Sequence, residues 1–161
     1  MNQTYRLLAE RIRGEIPELE LVANRTLRSW KQAQLTALDQ DIYLDSVALN
    51  LHGFYSGLEK IFELVARNID DVDLEGQTWH RDLLLSMSRE YEDVRPALIS
   101  IEHVQSLDEF RRFRHLIRNI YTTNIQPEKM RHLLDTLPEL WQGMKGELFA
   151  FAAFLDQTAG L

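Results

Sequence analysis

The sequence predicts an all-α protein, an antiparallel up-down bundle of four to five main helices. Apolar residues recur three and four positions apart through most of the chain, which is the period of a helix with one buried face. No segment of useful length alternates as a strand does. Only seven glycines and four prolines occur in 161 residues, which indicates short loops. This length suits one domain with one core, so we expect a single domain over residues 1–161.

Composition bounds the class of protein. The chain has no cysteine, which excludes disulfides, thiol catalysis and cysteine-based metal sites. Its apolar fraction of 45% and charged fraction of 27% are ordinary for a globular protein. Neither a signal peptide nor a membrane-spanning run of apolar residues is present in the pattern. We therefore expect a cytoplasmic protein that does not associate with a membrane.

The first half of the chain predicts two long helical regions. The N-terminal third has a helical stripe that Gly14 and Pro17 interrupt, so we expect a break or kink near residue 15. A second helix of about seven turns is predicted over residues 42–69. Gly53 and Gly57 lie one turn apart on it, which favours close packing against a neighbouring helix over contact with a ligand.

The second half predicts shorter elements before a long final helical region. Four segments follow in order: a loop at 71–77, a short helix at 79–91, a weakly patterned stretch at 92–105, and a helix from 107 to about 123. Pro127 then stands where a first-turn proline is tolerated. The apolar run that follows reaches Leu155, and we expect Pro138 to divide it, with a new helix start after the proline.

Residues Phe110–Tyr121, with the sequence FRRFRHLIRNIY, stand out by charge. This stretch has four arginines and no acid in a chain of net charge −7. On a helix, Arg114 falls on the apolar stripe, so its guanidinium must be paired with an acid or face a cavity. Glu59 or Glu63 on the preceding long helix is the expected partner. A second row beside Arg114 consists of Arg111, His115 and Arg118.

The sequence alone leaves three interpretations of these basic residues open. It is a solvated basic face that balances acidic helices, or a local site for a phosphate group. The third is metal-free phosphodiester cleavage, in which His115 exchanges protons and Arg114 stabilises the developing charge. No histidine spacing is typical of a metal site, so we predict neither a metal nor a cofactor.

The segment RHLIRNIY resembles the HepT-like proteins of the HEPN superfamily. Their signature is an arginine, four to six residues, a histidine and often a tyrosine two positions later. Here the register is R-x4-N-x-Y, and Asn119 stands where the family carries histidine. The flanks YLDSVALNLHGFYSGLEKIFELVAR, LDEFRRFRHLIRN and PEKM resemble the second helix, the fourth helix and the start of the fifth. The resemblance covers roughly residues 1–158.

The resemblance implies a metal-independent RNase toxin that acts as a homodimer, with a composite cleft between two protomers. Its partner is a nucleotidyltransferase antitoxin of the MNT type, which adds AMP to the motif tyrosine, here Tyr121. RNA is the implied substrate. The implied site residues are Arg114, His115, Asn119 and Tyr121 for catalysis, and Arg111 and Arg118 for phosphate binding. Because Asn119 cannot exchange protons near neutral pH, His115 is the candidate substitute; the alternative is a non-catalytic HEPN dimer that binds RNA, a nucleotide or the partner.

Overall fold

The structure, a computed structural model, describes residues 2–118 and 126–160, apart from the side chain of Arg118. Over these residues it contains five helices and no strand, which confirms the all-α prediction. The helices are α1 (Asn2–Leu35), α2 (Gln40–Asn68), α3 (Trp79–Ser86), α4 (Ile101–Arg118) and α5 (Pro127–Thr158). Within the same ranges, none of the helices is long and apolar enough to cross a membrane.

The four long helices pack around one core. Helix α1 lies against α2 and α5, α4 lies against the same two helices, and the short α3 covers α2 and α4. Buried apolar side chains from all five helices form a single cluster. Near its middle, the ring of Phe54 lies 6.0 Å from that of Phe110 and 5.8 Å from that of Trp141. These ring contacts pack α2 against α4 and α5, on the side of α4 opposite its exposed basic residues.

The directions of the helices decide which side chains meet. Helices α1 and α5 run antiparallel, as shown by the pairs Arg13–Asp156 and Glu20–Lys145. Helices α4 and α5 also run antiparallel, as shown by the pairs His103–Glu147 and Glu109–His132. The segment between α2 and α4 contains α3, and the ion pair of Asp70 and Arg95 joins its two ends, so α4 begins near the end of α2. The four long helices therefore follow the predicted antiparallel up-down path.

Two helices are longer than predicted because prolines do not divide them. Helix α1 passes through Pro17 and α5 passes through Pro138 without a break. A proline inside a helix costs about 3 kcal/mol because it lacks one N–H and crowds the preceding turn. On α1, Ile12, Ile16 and Leu19 continue one buried face across the proline, and their burial offsets that cost. A break near residue 15 and a new helix start after Pro138 are therefore wrong, whereas a kink near residue 15 stays a prediction.

The short helix α3 ends earlier than predicted, at Ser86 rather than at Tyr91. The guanidinium of Arg95 donates hydrogen bonds to the carbonyls of Ser86, at 3.1 Å, and Arg89, at 3.0 Å. These bonds satisfy carbonyls that a longer helix would use. Tyr91 instead exchanges backbone hydrogen bonds with Arg95, each 3.0 Å long. Arg95, which lies nine residues after Ser86, therefore determines where α3 ends.

Helix α4 begins at Ile101, within the stretch that the pattern left weakly defined. The Ser100 hydroxyl accepts a hydrogen bond from the backbone N–H of His103 at 3.2 Å, as an N-cap residue does. The carboxylate of Glu147, on α5, accepts the Ser100 N–H at 2.7 Å. A contact with α5 thus fixes the start of α4, which sequence periodicity could not show.

The two glycines of α2 differ in their surroundings. A Cβ on Gly57 would lie 2.9 Å from the side chain of Leu19 on α1, so this glycine permits close packing of the two helices, as predicted. At Gly53 no atom lies within 4 Å of such a Cβ. The packing prediction is confirmed at Gly57 and wrong at Gly53.

Candidate functional site

Arg114 leaves the apolar stripe of α4 to meet an acid on α2. Its Nη1 donates to Oε1 of Glu59 at 2.9 Å, and the two side chains are 16% and 5% exposed. The expected pairing with Glu59 or Glu63 is therefore confirmed for Glu59. Among the described residues, the buried Nε of Arg114 has no hydrogen-bond partner. A buried donor without a partner costs about 1–3 kcal/mol, so this guanidinium is held at a cost to stability.

Glu59 joins Arg114 to α3. Its second oxygen, Oε2, lies 2.9 Å from Nδ1 of His80, so one buried carboxylate contacts a cation from α4 and an imidazole from α3. The His80 ring stacks on Trp79 with 3.6 Å between ring centroids. Three helices thus meet at one carboxylate, which fixes the relative positions of Arg114 and His80.

A cleft opens beside this carboxylate between α3 and α4. Its volume is about 280 Å³, close to the lower limit of small-ligand pockets. The lining residues are Gln77, Thr78, His80, Arg81, Arg111, Arg114 and His115. Three of them are arginines and two are histidines, and none is an acid. Within residues 2–118 and 126–160, no group of three or more His, Asp or Glu side chains is placed to hold a metal ion.

Asp108 pairs with two arginines of α4, Arg111 and Arg112, which differ in their exposure. Its Oδ1 accepts from Nε of Arg111 at 2.8 Å, and its Oδ2 lies 2.8 Å from Nη2 of Arg112. The Arg111 side chain is 20% exposed and lines the cleft, whereas that of Arg112 is 71% exposed and does not. Arg112 therefore carries the same charge and shares the same acid as Arg111, but lies away from the cleft.

Tyr55 lies in the core near the same charges. It is fully buried, and among the described residues its hydroxyl has no hydrogen-bond partner. Burial, and next the negative charge of Glu59, raise the pKa of Tyr55 above its ordinary value of 10.0. The phenol therefore stays neutral where a solvated tyrosine would ionise. This buried hydroxyl therefore lowers stability, as the unpaired Nε of Arg114 does.

The structure places only part of the predicted site. Arg111, Arg114 and His115 are brought together in the cleft. Asn119 and Tyr121 lie outside the described residues, and the side chain of Arg118 is not described either. The roles predicted for Asn119, Tyr121 and Arg118 therefore stay predictions.

Two cleft residues were not singled out by the sequence. His80 and Arg81 lie on α3, more than thirty positions before Arg114, and no motif includes them. Their only local signal is the run Trp79, His80 and Arg81 at a helix start, after the acidic segment 70–75. That run gives an aromatic ring and two basic groups, which is too common a combination to predict a site without the fold.

Comparison with known proteins gives one family match. The sequence model of the HepT-like protein family matches residues 46–155, which run from α2 into α5 and include Glu59, His80 and Arg114. Searches of curated proteins and of solved structures give no match. The family match covers about two thirds of the chain. On this evidence the chain belongs to the HepT-like family of the HEPN superfamily.

Proposed function

We propose that this protein is a metal-independent endoribonuclease of the toxin type, acting in the cytoplasm, and that the cleft beside Arg114 binds an RNA phosphate. The observation that carries the proposal is the set of three arginines and two histidines around one cleft in an acidic protein. Guanidinium groups bind phosphate oxygens through paired hydrogen bonds. Membership of the HepT-like family supports RNA as the source of that phosphate.

The size and charge of the cleft favour a local site. With about 280 Å³, it has room for one phosphate and its ribose rather than for a long strand. The acidic remainder of the chain repels an extended polyanion. Arg114 is fixed by Glu59 before any ligand arrives, and preorganised donors stabilise developing charge more effectively than mobile ones. We therefore expect Arg114 to stabilise the charge on phosphorus during cleavage.

The protein's proposed partners follow from its family. We expect a homodimer in which the ends of two α4 helices face each other and form one composite cleft. We also expect an MNT-type nucleotidyltransferase partner that adds AMP to Tyr121 and silences the RNase. Co-expression with a nucleotidyltransferase from a neighbouring reading frame tests this, since the Tyr121 peptide should gain the mass of one AMP group. A Tyr121→Phe variant should gain none.

An RNA cleavage assay in the presence of a chelator tests the proposed activity. Wild type should cut single-stranded RNA, and Arg114→Ala should lower the rate by about 100-fold to 1000-fold, the effect of removing a preorganised charge-stabilising donor. Arg112→Ala is the matched control, because Arg112 lies on the same helix and does not line the cleft. Circular dichroism should show that both variants keep their helices.

A second candidate function is RNA or nucleotide binding without cleavage, which Asn119 in place of the motif histidine favours. Wild type would then bind RNA without cutting it, and Arg114→Ala would lose binding while Arg112→Ala would not. Equal losses in both variants would contradict a site in the cleft and leave only a solvated arginine face. Equal cleavage by wild type and Arg114→Ala would refute the role of Arg114.

A further inference from the structure

Two residues outside α4, Glu59 and Trp79, hold His80 in the cleft. Its Nδ1 lies 2.9 Å from the Glu59 carboxylate, and its ring stacks on Trp79. The side chain is 31% exposed and lines the cleft with Arg114. An imidazole that is fixed on one edge and reachable on the other is suited to exchanging a proton with a ligand.

The carboxylate determines which ring nitrogen is left for that exchange. An ionised carboxylate only accepts hydrogen bonds, so Nδ1 of His80 donates to Glu59. In a neutral imidazole the other nitrogen, Nε2, then has no proton and can accept one. Oriented histidine–carboxylate pairs of this kind recur in general acid–base catalysis. Glu59 therefore presents His80 in the form of a base.

We propose that His80 is the general base of the cleft and supplies the proton transfer that Asn119 cannot. The inference rests on the proposed RNase function. Nε2 of His80 accepts the proton of a ribose 2′-hydroxyl as its oxygen forms a bond to phosphorus. The bond from phosphorus to the 5′ oxygen breaks, and that oxygen takes a proton from water. The hydroxide that remains takes the proton from His80, which becomes a base again. The products are a 2′,3′-cyclic phosphate and a 5′-hydroxyl, with Arg114 next to the charged phosphorus.

Charged or titratable groups from each neighbouring helix face His80 or share its cleft. They are Glu59 on α2, Arg81 on α3, and Arg111, Arg114 and His115 on α4. His115, the substitute favoured by the sequence, is exposed and lines the cleft. His80 contacts the same carboxylate as Arg114. That shared anchor is what places a base and a charge-stabilising group together.

The decisive variant is His80→Asn, because an asparagine amide can still donate to Glu59 but cannot act as a base. Metal-free cleavage should fall by about 100-fold or more, while RNA binding stays within about twofold of wild type. A general base must be unprotonated to act, so the acidic limb of the wild-type pH–rate profile should disappear in this variant. Cleavage by His80→Ala should recover in part when imidazole is added. His132→Asn is the control, since its side chain is 72% exposed on α5 and outside the cleft.

The outcomes separate this inference from the proposed function. If wild type cuts RNA and His80→Asn cuts equally well, His80 is not the base, although the RNase function stands. Loss in His115→Ala with activity kept in His80→Asn would assign the base to His115 instead. If wild type is inert and Asn119→His gains activity, His80 does not replace the motif histidine. If both are inert, the RNase function itself fails.

Discussion

The buried ion pair of Arg95 and Asp70 offers the sharpest test of what holds this fold together. Their side chains are 0% and 2% exposed. Arg95 donates to both oxygens of Asp70, at 2.7 and 2.9 Å, and to the carbonyls of Ser86, Arg89 and Pro96, at 3.0 to 3.1 Å. A guanidinium has five N–H groups, and these five bonds use them all. Asp70→Asn keeps the shape of the partner and removes its charge.

The expected loss follows from burial. Removing one partner of a buried ion pair leaves an uncompensated charge away from water, which costs about 3–5 kcal/mol. Proteins of this kind are stable by about 5–15 kcal/mol in total, so the loss is a large fraction of the whole. With a urea dependence of about 2 kcal/mol per molar, the unfolding midpoint should move down by about 2 M.

Urea unfolding followed by far-UV circular dichroism measures this loss. The control is Glu15→Gln, which breaks the pair of Arg11 and Glu15 on the outside of α1, where the side chains are 56% and 32% exposed. Exposed pairs of this spacing contribute about 0.3–0.5 kcal/mol. If Asp70→Asn costs no more than Glu15→Gln, burial does not make the Arg95 pair important and the reasoning is refuted.

Two further predictions concern the core and the contact between α4 and α5. Tyr55→Phe should raise the free energy of unfolding by about 1 kcal/mol near neutral pH, because the buried hydroxyl has no partner among the described residues. Since the pKa of Tyr55 is raised, only the unfolded chain ionises it above pH 10.0, so wild type should lose up to about 1.4 kcal/mol per pH unit relative to the variant. Urea curves near neutral pH and at about pH 11 check this, and a constant difference would contradict it. Gly143→Ala should destabilise by about 1–3 kcal/mol, because its Cβ would lie 2.6 Å from the ring of His103. At Gly146, on the same helix, a Cβ meets no atom within 4 Å, so Gly146→Ala should stabilise by about 0.5–1 kcal/mol; equal effects at both glycines, measured by thermal unfolding, would contradict the contact.

Local patterns were sufficient to predict the helices and part of the site. The spacing of apolar residues defined α2 almost to its ends, since a long amphipathic helix carries many independent signals of one period. Arg114 could be identified because a charge on an apolar stripe needs a partner, and Glu59 met that need. Both inferences depend only on residues within one helix and on the general geometry of a bundle.

Features that depend on distant contacts could not be predicted. Pro17 and Pro138 look like breaks because their cost is local, whereas the burial that offsets it comes from neighbouring helices. Arg95 lies in a weakly patterned stretch, and only the fold places Asp70 beside it. His80 joins the cleft only because the segment between α2 and α4 places α3 beside Glu59.

The position of His80 on α3 links the stability of the fold to the proposed chemistry. An eight-residue helix is too short to be stable alone, so the position of α3 depends on its contacts. At its start, His80 binds Glu59, and at its end the Ser86 carbonyl accepts from Arg95. Loosening Arg95 should therefore move His80, although Arg95 does not line the cleft. Asp70→Asn, assayed in the cold where it is still folded, should cleave RNA more slowly than Glu15→Gln does. Equal rates would show that the apolar contacts of α3 alone keep His80 in place.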